Sequence, residues 1–344
     1  MSHILVTGAA GLIGGEVCAR LVAAGHRVTA LIRNNPEIRG NDRSSVQVAE
    51  ILKGDVELPD MGLPEDAVAR LAGSVDLVIH CAASIRFDLS DADYDAVNVG
   101  GTANAIDFAR HVGARLLYVS TAYACGLRDG IIEEAPVPQG VAFANGYEKS
   151  KAKAEALVRD SALHFAIARP AIVLGHSETG AIRGYDGIYA AFRLIAEGRI
   201  RAMPVREDGT LDFVPIDHVA GGIVAIAERM EAAAGGTFHL VSADPLPVQD
   251  FAEAIARYPQ FHRPTLTDHQ QFDADVLPPL ERRLHNRVAG LYASYFQRDP
   301  RFDDAHFRAL TGMESGPADL DYMQRQIDFC IADGFLPAAT AMAE

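Results

Sequence analysis

The first fourteen residues constrain the fold more than any other stretch. Ile4-Leu5-Val6 is a short apolar run of β-forming residues, and it ends in Thr7-Gly8-Ala9-Ala10-Gly11-Leu12-Ile13-Gly14. A helical pattern follows through Val17, Leu21 and Val22 and stops at Gly25. Strand, glycine turn and helix in that order form the opening half of a nucleotide-binding βαβ unit. Gly8 permits the turn, Gly11 lets backbone approach a pyrophosphate, and Gly14 lets helix and strand pack closely. The N–H groups at the helix start then face the phosphates, where the helix dipole favours negative charge.

The pattern continues. Arg27–Ile32 reads as a second strand, and it ends in Arg33 with Arg39 and Arg43 behind it. A free ribose 2′-hydroxyl usually meets an acidic residue here, whereas a guanidinium suits a 2′-phosphate. The expected cofactor is therefore NADPH (NADP+) over NADH. Asp55, before Val56, is placed either to meet an adenine amino group or to cap a turn. Asp76–His80 is a buried-type strand running into Cys81-Ala82-Ala83-Ser84, small residues that let a ligand come close. His80 reads as a satisfied core histidine. Asn98 opens a helix, either as its cap or as a buried group orienting a lysine. Leu116–Val119 delivers Ser120 and Thr121 at its carboxyl end, and a further strand leads to Arg169-Pro170-Ala171-Ile172-Val173.

Strand and helix alternate from residue 4 to Gly175, which predicts an α/β fold with a Rossmann-type, doubly wound parallel sheet. Beyond Gly175 the alternation breaks, although Gly236–Val241 reads as a last strand. The expected division is 1–175 plus about 211–243 for cofactor binding, with about 176–210 plus 245–344 as a smaller, mostly helical substrate lobe.

Tyr147 and Lys151, four residues apart, fall on one helical face. A phenol beside an ammonium can have its pKa drawn down from about 10, giving a proton donor usable near neutrality. Two neighbouring surface residues would show the same spacing; the upstream phosphate loop and hydroxyls favour catalysis.

The net charge is −15, from 31 basic and 46 acidic residues. That argues against nucleic acid and against an anionic membrane surface. No run approaches the roughly 18 apolar residues of a spanning helix. The start at Met1 leaves no room for a signal peptide, and four cysteines without paired spacing read as reduced thiols in a cytoplasmic protein. The histidines and cysteines form no metal-ligand motif, so no metal is expected.

Taken in order, Thr7-Gly-x-x-Gly-x-x-Gly14, Asp55, Cys81-Ala82-Ala83, Asn98-Val-x-Gly-Thr102, Thr121 and Tyr147-x-x-x-Lys151 resemble the extended short-chain dehydrogenase/reductases. His80–Asp88, with Arg86-Phe87-Asp88, and Val119–Tyr123 are similar to the fatty acyl-CoA reductase and thioester reductase branch. The tail, with Tyr292, Tyr295, Phe296 and Phe302-Asp303, looks like that branch's C-terminal helical part. Read as it stands, the sequence is expected to do without the terminal hydrophobic anchor and the adenylation and carrier domains found in some members.

The resemblance implies Tyr147 as catalytic acid, Lys151 as its pKa tuner and ribose clamp, and Thr121 as second hydroxyl at the carbonyl, with Ser120 beside it. It implies cofactor contacts from Thr7, Gly8, Gly11, Leu12, Ile13, Gly14, Arg33, Asp55, Val56, Cys81, Ala82, Ala83, Asn98, Ser120 and the backbone of Pro170, Ala171, Ile172 and Val173. Ser84, Arg86, Phe87 and Tyr123 are the substrate candidates, although Arg86 would equally pair with Asp88 or Asp91 on a surface loop. Arg183, Arg199 and Arg201 are candidates for the phosphates of a CoA-type handle, or simply a solvated basic face. The implied reaction is reduction of an acyl thioester or aldehyde, a small-molecule substrate. A ketone or hydroxysteroid oxidoreductase, a nucleotide-sugar epimerase or dehydratase, and a non-catalytic NADPH-binding scaffold are the alternatives. A homodimer is left open.

Overall fold

The computed structural model describes residues 1–86 and 88–339. Seven strands form one parallel sheet: β1 (His3–Thr7), β2 (Arg27–Ile32), β3 (Glu50–Lys53), β4 (Leu77–His80), β5 (Arg115–Val119), β6 (Phe165–Pro170) and β7 (Thr237–Leu240). Their spatial order is β7-β6-β5-β4-β1-β2-β3. The order reverses between β1 and β4, and ligands of such sheets bind beyond the strand ends at that switch.

Both faces of the sheet are buried, as a parallel sheet requires. Alternation along the strands divides the core. Ile4 and Val6 pack into the cluster that holds Val28, Ala30, Ile79, Leu117 and Val119. Leu5 turns the other way, with Leu31, Val78, Leu116, Tyr118 and Ile167. Helix α1 (Leu12–Ala23) covers the first face and packs against α6 (Ile216–Glu228). The second face carries α2 (Glu65–Leu71), α3 (Gly101–Val112) and α4 (Gly146–Asp160). Between α4 and α6 lie β6 and α5 (Ile188–Ala196).

After β7 the chain is largely helical, through α7 (Val248–Ala256), α8 (Gly290–Gln297), α9 (Ala305–Thr311) and α10 (Leu320–Ala332). These helices join the first core cluster through Phe251, Phe296, Phe307, Tyr322 and Ile327. Short parallel pairs stitch early chain to late chain. Gly130–Ile132 pairs with Pro300–Phe302, and Ile172–Leu174 pairs with Phe213–Pro215. Among the described residues no helix is long and apolar enough to cross a membrane, and no group of three metal-ligating side chains is found.

Candidate active site

The glycine turn is a tight crossing at the end of β1. Gly8 has φ +66°, and a Cβ there would lie 2.7 Å from the Ala82 nitrogen. A Cβ on Gly14 would lie 2.3 Å from the Gly8 oxygen. Both positions are closed to side chains, so the backbone can approach a ligand and α1 can pack onto the strand. Gly11 is the N-cap of α1 and brings no side-chain cap, so the first-turn N–H groups are not tied up by one. Leu12 and Ile13 are the first two residues of that helix.

A cavity of about 340 Å³ opens beside this turn, lined by Gly8, Gly11, Arg33, Asp55, Val56, Cys81, Ala82 and Ala83 among others. The residues present fit a dinucleotide. The turn is stripped of side chains, the helix start faces it, and the far wall carries a cation. Thr7 does not line this cavity; its hydroxyl pairs with His80 Nδ1 at 2.8 Å and accepts from the Ala82 nitrogen at 3.2 Å, tying the ends of β1 and β4 together. Burial lowers the His80 pKa to about 3 and keeps the ring neutral; it is a core histidine as expected, but not a satisfied one, since its buried Nε2 has no hydrogen-bond partner among the described residues.

Arg33 stands at the rim, its Nη1 2.9 Å from Glu57 Oε1 and 4.0 Å from Asp55 Oδ2. Asp55 Oδ1 accepts from the Glu57 nitrogen at 3.1 Å, so it caps a turn and lines the cavity at once. Burial raises the Cys81 thiol to about 12, so it stays protonated. Arg183 reaches across from the segment before α5. It donates to the Ala10 oxygen at 3.2 Å, within the glycine turn, and to the Arg39 oxygen at 2.8 Å. Arg199 pairs with Glu197 at 2.9 Å, and Arg201 donates to the Gly198 oxygen at 3.0 Å.

Tyr147 sits in the first turn of α4, whose N-cap Asn145 accepts from the Glu148 nitrogen at 2.9 Å. Thr121 follows β5 and caps the 3₁₀ turn Ala122–Cys125. The two hydroxyls meet: Thr121 is a hydrogen-bond partner of the Tyr147 phenol. Thr121 Oγ1 also lies 3.4 Å from the Pro170 oxygen, at the end of β6. Ala171 donates to the Leu240 oxygen at 3.1 Å, and Ile172 and Val173 continue into the next short strand. Ser120 is buried beside Thr121, near the Glu155 carboxylate, and its hydroxyl has no hydrogen-bond partner among the described residues. That carboxylate holds Arg169 at 2.8 and 2.6 Å. Burial would raise Glu155, but Arg169 and Arg159 outweigh it and hold the carboxyl below its usual value.

Two expectations are corrected by this geometry. The phenol of Tyr147 is raised rather than lowered. Burial is the main cause, the Glu148 carboxylate adds to it, and only the Thr121 hydrogen bond opposes. Lys151 lies one turn on, but its Nζ donates to the Val119 oxygen at 2.7 Å and sits 4.3 Å from the Tyr118 ring centroid. Burial lowers Lys151 itself to about 7, against the pull of Glu155 and Cys81. Secondly, Asn98 neither caps a helix nor meets Lys151. It lies in a π-turn, Asp95–Gly100, where Nδ2 donates to the Ser84 oxygen at 3.1 Å and to Ser150 Oγ at 2.9 Å. Its Oδ1 accepts from the Ser84 nitrogen at 2.8 Å, so Asn98 ties the loop after β4 to α4. Such one-turn widenings of a helix are frequent at functional sites. Of the two readings of Arg86, the structure shows the pairing with Asp88 on the surface loop, with the arginine side chain 67% exposed. Tyr123 is buried, edge-on to Tyr295 at 4.4 Å and to Phe302 at 5.2 Å. Phe87 lies outside the described residues.

Several groups near the site carry no sequence signal. Tyr94 faces Tyr147 and hydrogen-bonds the Arg86 oxygen. Arg298 comes from just beyond α8 to meet Glu148, next in sequence to Tyr147. An acidic residue inside the Tyr147–Lys151 stretch was the only hint, and its partner is 150 residues away.

Comparison with known proteins places this arrangement. The model of an NAD-binding family described as male sterility protein matches residues 6–223. A glycine betaine reductase of Emericella nidulans is 29% identical over 282 residues, which are 73% of this chain and 22% of that protein. An NRPS-like oxidoreductase of Fusarium equiseti is 29% identical over an alignment 356 positions long that covers 96% of this chain and 33% of that protein. The chain thus spans a third or less of the length of these curated relatives. The terminal R domain from the myxalamid PKS-NRPS biosynthetic pathway superposes with a TM-score of 0.82 at 24% identity, covering 99% of this chain and 93% of that one, which shows a shared fold. With residues 6–223 matched by the family model, the chain belongs to this NAD-binding family, described as male sterility protein, within the extended short-chain dehydrogenase/reductases.

Proposed function

We propose that the protein is an NADPH-dependent reductase of the carbonyl of an acyl thioester, fatty acyl-CoA-like in chemistry, or of an aldehyde. The observation that carries the reading is the contact between the Thr121 and Tyr147 hydroxyls at the carboxyl end of the sheet. The relatives named as reductases support the same chemistry. The glycine turn and the α1 N-terminus would hold the pyrophosphate, and Arg33 the 2′-phosphate. Residues 1–175 with about 211–243 form the cofactor part in this reading, and about 176–210 with 245–344 the substrate lobe.

A bound nicotinamide supplies the hydride. Thr121 and Tyr147 donate hydrogen bonds to the carbonyl oxygen as negative charge develops there, and such preorganised donors are worth about 2.7–4 kcal/mol each to the transition state. Tyr147 then gives its proton to that oxygen. Its raised pKa keeps the phenol protonated across the physiological range, which suits a proton donor in reduction. Lys151, whose Nζ donates to the Val119 oxygen, is the ribose clamp in this reading. With a thioester, the tetrahedral product loses its thiol as the C–S bond breaks and an aldehyde forms.

Tyr147→Phe should lower kcat by about 10²-fold or more. Near-normal turnover removes the assignment. NADPH oxidation followed with acyl-CoAs, matched aldehydes and simple ketones, with product identification, tests the substrate class. Activity confined to ketones would replace the thioester reading with that of a ketone reductase.

A further inference from the structure

Glu148 is a buried carboxylate beside the proposed proton donor, and the reaction just described does not use it. Its side chain is fully buried and the Arg298 guanidinium is its partner, through Nη2 on Oε1. Arg298 is the residue that ends α8, and its side chain is only 6% exposed. Its Nη1 donates to the Gly126 oxygen at 2.7 Å. Gly126 closes the 3₁₀ turn that Thr121 begins. That glycine is held at φ +72°, where a Cβ would come within 2.3 Å of Val141 Cγ1. One guanidinium therefore grips the start of the helix carrying Tyr147 and the end of the turn carrying Thr121. Its own position is fixed by two rings, Tyr123 and Tyr295, whose centroids lie 5.1 and 5.5 Å from Cζ.

Stability alone is a weak reason for such a pair. Taking two charges out of water is costly, and apolar replacements of similar volume are often neutral or stabilising. Placement is a better reason, since an error of 1 Å at reacting groups can cost about 10²-fold in rate.

We propose that Arg298 and Glu148 are a positioning pair through which the C-terminal part of the chain sets Tyr147 and Thr121 against the substrate carbonyl. The proposal rests on the reading of Tyr147 as proton donor. The pair also has an electrostatic consequence. Tyr147 is faced by Glu148 on its own helix, by Thr121 and Tyr118 from β5 and the turn after it, by Tyr94 from the one-turn helix Asp91–Tyr94, and by Tyr295 from α8. Glu148 is faced by Arg298 and Asn145, with Tyr123, Cys125 and Tyr295 in the same cluster. Glu148 is the fixed negative charge in this set that makes Tyr147 a weaker acid, and Arg298 balances it. Replacing Glu148 by glutamine removes the negative charge beside the phenol, leaves the Arg298 charge unbalanced in the same cluster, and makes the phenol a stronger acid. Reduction needs the protonated phenol, so its rate must then fall at a lower alkaline pH than in the wild type.

The test is the pH profile of kcat and kcat/KM for NADPH-driven reduction, with Tm and the NADPH Kd, in Glu148→Gln, Arg298→Met and the double variant. The double variant removes both charges and keeps the experiment valid if a single variant folds poorly. We expect Glu148→Gln to bring the alkaline fall to lower pH, and the double variant to return it towards wild type. All three should lose about 10- to 100-fold in kcat through lost placement, with the NADPH Kd within about twofold. Folded variants with unchanged kcat and an unchanged profile, whatever their Tm, overturn the proposal and leave the pair a structural staple. If Tyr147→Phe keeps wild-type turnover while these variants lose theirs, the proton-donor reading fails instead.

Discussion

Arg33 and Arg298 each meet a glutamate, and the two pairs are opposite in setting. Arg33–Glu57 lies at the rim of the cofactor cavity, with side chains 58% and 35% exposed. Arg298–Glu148 lies under the site, 6% and 0% exposed. Water screens the first pair, so its carboxylate can give way to another anion at little cost. No water replaces a lost partner in the second, so each charge needs the other. The same chemistry thus yields an exchangeable docking point where solvent reaches and a fixed part of the frame where it does not. Arg169–Glu155, 1% and 2% exposed and doubly hydrogen-bonded, is of the fixed kind.

The strongest way to break this contrast is to remove one buried partner. Glu155→Ala strands Arg169 and should cost about 3–5 kcal/mol in urea unfolding. A loss below about 1 kcal/mol, the range of exposed pairs, would erase the distinction. Lys151 sharpens it, being a buried cation whose Nζ donates to the Val119 carbonyl. Burial lowers its folded value to about 7, below the unfolded value of about 10.4. Between these values the unfolded chain binds more protons, so this lysine makes stability rise with pH across that window. The Tm advantage of Lys151→Met over wild type should therefore be largest near pH 6 and shrink towards pH 10. A difference that stays constant with pH would show that the ammonium is solvated in the folded protein.

The exposed pair predicts smaller effects. Arg33→Ala should raise the KM for NADPH about tenfold, the size of one charge-assisted hydrogen bond, and leave that for NADH nearly unchanged. Equal losses with both cofactors would remove the 2′-phosphate role. Glu57→Gln frees Arg33 from its competitor and should lower the KM for NADPH by only about two- to fivefold. A rise instead would mean that Glu57 orients the guanidinium.

What could be read from the sequence follows the range of the interactions. The glycine turn is local: Gly8, Gly11 and Gly14 act on their own strand and helix, so spacing alone displays them. The spacing of Tyr147 and Lys151 was equally plain, but the acidity of the phenol was misjudged. Acidity depends on burial and on Glu148, and the depth of a helix face is set by everything packed on it. Asn98 was placed near the site and given the wrong partners, because a π-turn shifts helical register and no residue type announces one. Arg33 was legible as a cation at a strand end, while its tie to Glu57 depends on how the loop after β3 folds back. Arg298 was invisible for the opposite reason from Gly8, since its contact with Glu148, 150 positions earlier, exists only after the chain between them has folded.

The seventh strand of the sheet has a consequence for how this protein can be taken apart. Thr237–Leu240 lies against Phe165–Pro170, although the chain between them has left the sheet and returned. A fragment cut near Gly175 would present β6 as a bare parallel edge rich in apolar residues, the kind of surface on which chains aggregate. The break point that looks natural in the linear sequence is therefore a poor one for dissecting or recombining such reductases. A graft that exchanges substrate preference has to leave the return strand in place and enter through two separate windows of the chain.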